Sequence, residues 1–281
     1  MQSSHPIEGL VVTTARNRRA EFEPRALSVA ARCGLKMIPR EKSLQKVLLE
    51  SGAWGAYVVG HQHESVQAEE TSLFVGPAMF YLKRLDGMEH PLIRAISPAS
   101  GGGVETVIDA TMGLAGDALH ISHSTGAVVM GFERSPVVCC LLDEGLRRMS
   151  AEKKPWATAA ARLKVECGAA ALKLSRFPES SVDVIYIDPM FELPGRCSPG
   201  FGLFRRIADH APLRAELIQQ ACRVASRRVV LKLPGGAQPP SIVPHQAGWN
   251  RRVRGKSVDF LVAEFELESP EYEAPDHGTR P

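Results

Sequence analysis

The sequence predicts an α/β protein: a mainly parallel sheet covered by helices on both faces, preceded by a smaller α/β unit. Three observations carry this. From Val104 onward, short β-branched runs alternate with longer amphipathic segments, the rhythm of a sheet whose strands are joined by helical crossovers. Before that point the rhythm is different, and Ser-Pro-Ala-Ser-Gly-Gly-Gly at 97–103 separates the two parts as a small-residue connection. At 281 residues the chain is long enough to bury a large core with an appendage.

The first unit, residues 1–100, is read in order as follows. Leu10 to Thr14 is a short apolar strand. Pro24 suits the first turn of a helix whose apolar positions include Leu27, Ala30 and Ala31, and Gly34 suits its left-handed end. Ser43 is an N-cap for a second helix through Leu44, Val47 and Leu48, which stops at Gly52. Ala56–Gly60 and Ser72–Val75 are strands, and Ala78–Leu85 and Pro91–Ile96 are helical. The second unit, 104–268, opens with a strand at Val104–Ile108, then a helix from Asp117 to Ser122. A strand at Ala127–Phe132 and a helix at Pro136–Met149 follow. Strands at Leu163–Val165, Val182–Ile187 and Val229–Leu233 continue the pattern, with a helix near Pro212–Val224. Asp259–Phe265 alternates and suits an antiparallel partner. The acidic tail, 269–281, is expected to be disordered.

Composition narrows the function classes. No apolar run approaches the roughly 20 residues that span a bilayer, and Met1–Gly9 lacks the basic-then-apolar pattern of a secretory leader. Cytoplasmic localisation is therefore expected. The six cysteines form no C-x-x-C pair, and reduced thiols are expected. From Glu264 onward there are six acids and one arginine, so the body of the chain carries a basic excess that suits a polyanionic partner. His61 with His63, and His120 with His123, have spacings that could serve a metal, but no third ligand accompanies them, so no metal is expected. Arg16, Arg18, Arg19 and Arg25 form one basic cluster; Arg251, Arg252, Arg254 and Lys256 form another. Neither is interleaved with aromatics, so solvated faces explain them as well as phosphate contacts do.

Three segments carry the chemistry, each just after an expected strand, so all three point to one crevice beyond the carboxyl ends of the sheet. The first is Asp109-Ala-Thr-Met-Gly-Leu-Ala-Gly-Asp117. Gly113 and Gly116 let backbone turn tightly beside a ligand. The spacing is not the Gly-x-Gly-x-x-Gly of a dinucleotide fold, and acids at both ends would repel a pyrophosphate. They suit a cationic ligand such as S-adenosylmethionine, which has an ammonium, a sulfonium and no phosphate. The second is Glu133, at the next strand end, where a carboxylate can accept both ribose hydroxyls. The third is Asp188-Pro-Met-Phe191. Asp188 and the Pro189 carbonyl can accept an exocyclic amine, and Phe191 can stack on a base. Two acceptors aim the amine lone pair at a methyl carbon, so positioning and electrostatics do most of the catalysis.

The stretches VIDATMGLAGDA (107–118), FERSPVVCCLLDEGLRR (132–148), VDVIYIDPMF (182–191) and RRVVLKLP (227–234) resemble those of the RsmJ-type small-subunit ribosomal RNA guanine-N2 methyltransferases and their uncharacterised relatives. The resemblance runs over about residues 104–262. It implies a Rossmann-like class I methyltransferase sheet with a small N-terminal α/β domain, S-adenosylmethionine as cofactor, and RNA, in the small ribosomal subunit, as partner. It places Gly116, Asp117, Glu133, Arg134, Ala169, Ala170 and Asp188 around the cofactor and points to Lys232 as a pocket residue. The chain departs from the family at Ala115, where glycine is usual, and at Ala169 and Ala170, where serines are usual. It also lacks the family's lysine-rich stretch after Phe191. A protein or small-molecule acceptor, or cofactor binding without turnover, are the alternatives. A nicotinamide dehydrogenase is disfavoured by the glycine spacing and paired acids.

Overall fold

The computed structural model describes residues 7–77, 87–98, 102–190, 198–240 and 248–265. The helix expected at Ala78–Leu85, Phe191 and the tail 269–281 lie outside the described residues.

The first part builds β1 (Leu10–Thr14), α1 (Arg19–Cys33), β2 (Lys36–Met37), α2 (Leu44–Ser51), β3 (Gly55–Val59), β4 (Ser65–Ala68) and β5 (Thr71–Leu73). They form a five-stranded sheet in the order β2-β1-β3-β4-β5, with β1, β2 and β3 parallel. The end signals act as expected. Ser43 Oγ accepts the Lys46 N–H at 3.4 Å, and Gly34 and Gly52 close their helices at φ +65° and +67°. Pro24 does not open α1. The helix starts at Arg19 and passes through the proline, which forfeits one backbone hydrogen bond. The buried stripe of Ala26, Val29, Ala30 and Cys33 offsets that loss.

The second part starts with α3 (Pro91–Ile96), which packs on the larger sheet. It continues with β6 (Thr106–Asp109), α4 (Gly116–Thr125), β7 (Val128–Glu133), α5 (Pro136–Ser150), α6 (Ala157–Ala161), β8 (Leu163–Cys167) and α7 (Ala170–Leu174). Next come β9 (Val182–Ile187), α8 (Pro199–Ile207), α9 (Ala215–Val224), β10 (Ala225–Pro234), β11 (Arg251–Arg254) and β12 (Val258–Glu264). The seven strands lie in the order β11-β12-β10-β9-β6-β7-β8. β6 to β10 run parallel, and β12 is antiparallel to both its neighbours. The antiparallel pairing expected for 259–265 is thus present. The order reverses between β6 and β9, which opens a crevice at their carboxyl ends.

The period-2 pattern of the central strands is what buries both faces. Val184 and Tyr186 of β9 join one apolar cluster with Val107 and Val230. Ile185 and Ile187 join the opposite cluster with Ile108, Val229, Leu231 and the α9 residues Ile218 and Ala221. The first cluster continues into the smaller sheet through Leu10, Val12, Tyr57 and Val66. A polar network crosses the same seam. Glu64 accepts two hydrogen bonds from Arg25 at 2.8 and 3.1 Å and the Tyr57 hydroxyl. The Glu64 backbone N–H donates to Glu144 at 3.2 Å, and Glu144 pairs with Arg148 at 3.0 Å. Gly145 leaves room for Val75 to sit against α5. Arg25 is therefore an internal strut, not part of a surface basic cluster.

The cysteines correct the sequence reading. Cys139, in the first turn of α5, and Cys167, the last residue of β8, are joined as a disulfide with Cα atoms 5.9 Å apart. The β7–β8 register, which sets Cys167 opposite Glu133, brings the two together. Cys33, Cys140 and Cys222 are free thiols.

Candidate functional site: a carboxylate-lined crevice at the sheet's switch point

Three strand ends and their loops meet where the strand order reverses. Asp109 ends β6, is 2% exposed, and accepts the Thr111 backbone N–H at 3.0 Å. Burial raises its carboxyl to about 7. The loop then turns at Gly113 (φ +54°) and Ala115 (φ +62°) into Gly116 and Asp117, the first residues of α4. Ala115 holds the left-handed conformation that glycine adopts at no steric cost, so the departure from the family pattern is accommodated as local strain of about 1–2 kcal/mol.

Glu133 ends β7 and ties the two loops together. One of its oxygens accepts the Gly113 N–H at 3.0 Å, the other the Ser135 N–H at 2.7 Å. Burial outweighs these bonds and raises its carboxyl to about 7. Ser135 also caps α5 through Val138 and donates to the Ile207 carbonyl at 2.5 Å. The Gly168 N–H donates to the Glu133 carbonyl at 2.7 Å, which sets the half-buried Ala169–Ala170 turn beside the same strand end. The Arg134 guanidinium is paired with Asp209 at 3.0 Å. The Arg134 backbone N–H is a further donor to Glu133.

Asp188 follows β9. Its backbone N–H donates to Thr111 Oγ1 at 2.6 Å, locking it to the first loop. Its side chain is ion-paired with Lys232 Nζ at 2.7 Å, and the same ammonium pairs with Asp117 at 3.0 Å. The Tyr186 hydroxyl donates to Asp117 at 2.7 Å. Pro189 follows half-buried, without an N–H. Lys232 thus joins the first and third segments; the sequence pointed to it only through the family resemblance. Tyr186 and Thr111 were not foreseen at all. Tyr186 lay hidden in an apolar run, and no spacing signal marks it. Phe204 of α8 is a further addition, its ring lying over Gly113 where a Cβ would come within 3.3 Å.

The other sequence signals resolve differently. Among the described residues no group of three or more His, Cys, Asp or Glu side chains could hold a metal. His63 stacks on Phe74 with ring centroids 4.2 Å apart, and His120 is fully buried against His90. In the second basic cluster Arg251 pairs with Glu264 and Arg252 with Asp259. These residues form the edge strand β11. No helix among the described residues is long and apolar enough to cross a membrane.

The chemistry of the lining suits one kind of ligand. Asp117 and Asp188 share one ammonium, Lys232, and the carboxyls of Asp109 and Glu133 stand at the neighbouring strand ends, so among the described residues the acids outnumber the base and the crevice favours a cation. Backbone without a Cβ at Gly113, and a carboxylate at the second strand end, fit an adenosyl group with an ammonium and a sulfonium.

Comparison with known proteins gives the family. Residues 58–254 match the family described as "Putative SAM-dependent methyltransferase". The chain is 33% identical over 199 residues to the uncharacterised protein YpiP of Bacillus subtilis (strain 168), covering 69% of this chain and 76% of that one. It is 35% identical over 208 residues to ribosomal RNA small subunit methyltransferase J of Rhodopseudomonas palustris (strain HaA2), covering 72% and 91%. The counterpart in Alteromonas mediterranea is 33% identical over 168 residues, and this chain spans 63% of its length. A SAM-dependent methyltransferase of Neisseria gonorrhoeae shares the fold, with a TM-score of 0.62 at 22% identity over 90% of this chain and 95% of that one. The sheet is a Rossmann-like class I methyltransferase sheet, its cofactor is S-adenosylmethionine, and the chain belongs to this family of S-adenosylmethionine-dependent methyltransferases.

Proposed function

We propose that this enzyme methylates the exocyclic N2 amine of a guanine in the RNA of the small ribosomal subunit. The observation that carries the proposal is Asp188, an ion-paired carboxylate held between Thr111 and Lys232 at the carboxyl end of β9. A carboxylate only accepts hydrogen bonds. Guanine offers it two adjacent donors, the N1–H and the N2 amine. Adenine and cytosine set their amines beside a ring nitrogen lone pair, which a carboxylate repels. The matched relatives named as ribosomal RNA small subunit methyltransferases support the choice of acceptor. Such a substrate places the enzyme in the cytoplasm with the ribosome.

In this reading residues 104–268 form the catalytic unit and residues 1–100 a neighbouring one. Asp109, Gly113, Gly116, Asp117 and Glu133 hold the cofactor, together with the backbone of Arg134, Ala169 and Ala170. The bound cofactor supplies an electrophilic methyl group on a sulfonium. Asp188 and the Pro189 carbonyl accept the two N–H bonds of the amine and direct its lone pair along the line of attack. As the new C–N bond formed, the methyl C–S bond would break, its electron pair returning to sulfur to leave a neutral thioether, and one amine proton would pass to the Asp188 carboxylate. Lys232 fixes the carboxylate while charge shifts around it. Phe191 stacks on the flipped base.

The test is transfer of a labelled methyl group to purified small subunits, to their naked RNA and to a protein fraction, followed by nucleoside digestion. Label in N2-methylguanosine, reduced about 10²-fold or more by Asp188→Asn, is expected. Label in protein, or in an adenine or cytosine product, would overturn the assignment.

A further inference from the structure

The helix α8 (Pro199–Ile207) touches both halves of the molecule. On one side it packs on β5 of the smaller sheet. There the Arg206 guanidinium lies over the Trp54 ring, 3.7 Å from the ring centroid. A planar guanidinium on an indole face is attracted by the ring quadrupole. Trp54 stands just before β3 and is itself fixed. Its indole N–H donates to the Glu8 carbonyl and its backbone N–H to the Gly9 carbonyl, both at 2.9 Å.

On the other side α8 reaches the switch-point crevice. Residues two apart do not share a helix face, so Phe204 and Arg206 serve different halves. The tip of the Phe204 ring meets Gly113, where a Cβ would stand 3.3 Å away. Gly113 is the turn of the loop after β6, and Glu133 accepts its N–H at 3.0 Å. The carbonyl of Ile207, the last residue of α8, accepts the Ser135 hydroxyl at 2.5 Å. Asp209, just beyond, pairs with Arg134 at 3.0 Å. One nine-residue helix thus runs from Trp54 to the loops after β6 and β7. A helix of this length is marginal by itself, so what it packs against sets its position.

We propose that Phe204 is a positioning residue for S-adenosylmethionine: it holds the Gly113 turn in place, and the smaller unit supports it through the Trp54–Arg206 contact. Cofactor affinity then depends on Trp54, which lies outside the residues 58–254 that match the family. The inference rests on the proposed placement of the cofactor at the Gly113 and Glu133 loops. It does not depend on the acceptor.

The experiment is calorimetric titration of S-adenosylmethionine into the full chain, with thermal midpoints recorded alongside. Phe204→Ala should weaken binding about tenfold, and Phe204→Leu should recover most of the loss. Trp54→Ala and Arg206→Gln should each weaken it about threefold. The double variant should lose no more than either, because both changes remove the same contact. Arg32→Gln breaks another contact between the halves, the Arg32–Asp143 ion pair of α1 and α5, and should keep wild-type affinity. Wild-type affinity in Phe204→Ala would overturn the inference, as would wild-type affinity in both Trp54→Ala and Arg206→Gln. An equal loss in Arg32→Gln would overturn it too, because affinity would then follow any loosening between the halves. Arg206 is exposed, so Arg206→Gln keeps the test decisive if Phe204→Ala or Trp54→Ala does not fold. Glu133→Ala separates the two readings. Unchanged affinity there would overturn the cofactor placement and this inference with it. A loss there, with none in Phe204→Ala, would overturn the role of Phe204 alone.

Discussion

At the scale of single residues, the crevice is defined by carboxylates whose surroundings differ. Asp109 and Glu133 are buried, and each is raised to about 7. In the free protein these groups hold protons that the unfolded chain has released, in the window from about 4 to 7. Their stabilising contribution is complete below the unfolded values and is lost as pH rises through about 7. Thermal midpoints of the cofactor-free protein should therefore fall between about pH 4 and 7, with a flatter profile in Asp109→Asn and Glu133→Gln. A cationic cofactor prefers both groups ionised, so its affinity should rise over the same range, with proton release seen as a buffer-dependent heat. Lys232 makes a different prediction, because it bridges Asp117 and Asp188. Lys232→Met should lower kcat roughly 10²-fold with a much smaller effect on cofactor affinity, and Lys232→Arg should recover part of the loss. Equal losses in kcat and affinity would instead make Lys232 a cofactor anchor.

At the scale of elements, the loop after β6 works because of the strand beside it. Gly131, in the middle of β7, has no Cβ, and the Met112 side chain fills that space: a Cβ there would come within 1.9 Å of the Met112 sulfur. The Met112 N–H also donates to the Phe132 carbonyl at 3.0 Å, so the loop is seated on β7 by backbone and side chain together. Gly131→Ala should push Met112 out and weaken cofactor binding severalfold, and Met112→Ala in the same chain should restore much of it. Calorimetry of the single and double variants checks this; no rescue would mean that the strand, not the loop, is disturbed. The loops after β6, β7 and β9 were legible as one site because strand ends of a parallel sheet share an edge. α8, which lays Phe204 over Gly113 and is tied to Ser135 through Ile207, was not foreseen. A nine-residue helix in a Gly- and Arg-containing stretch gives a short periodic signal.

At the scale of the whole molecule, the two sheets share one apolar cluster and a polar seam, and they meet through α5 and through α8, which packs on β5 and sets Arg206 over the Trp54 ring. Gly145 is the contact point: a Cβ there would lie 2.5 Å from Val75 Cβ. In an isolated helix Gly→Ala stabilises by about 1 kcal/mol. Here Gly145→Ala should destabilise by about 1–3 kcal/mol, read as a lower Tm. A higher Tm would mean that the seam yields freely to an added methyl. The basic excess of the body also resolves at this scale. Arg25, Arg251 and Arg252 are engaged in ion pairs within the fold.

Sequence alone was enough for the class of fold, the switch-point crevice and the cofactor. Strand periodicity, glycines in a turn and acids at strand ends are local features, and local sterics and charge decide what they can do. It was also enough to nominate Asp109, Gly113, Gly116, Asp117, Glu133 and Asp188, because each stands within a few residues of a strand end. Tertiary structure decided what depends on contacts between distant segments. It brought Lys232 to Asp117 across 115 positions and Tyr186 to Asp117 across 69. It paired Arg134 with Asp209 and joined Cys139 to Cys167. Those outcomes follow from sheet order and register, which arise only when non-local strands pair and no single stretch of chain encodes them.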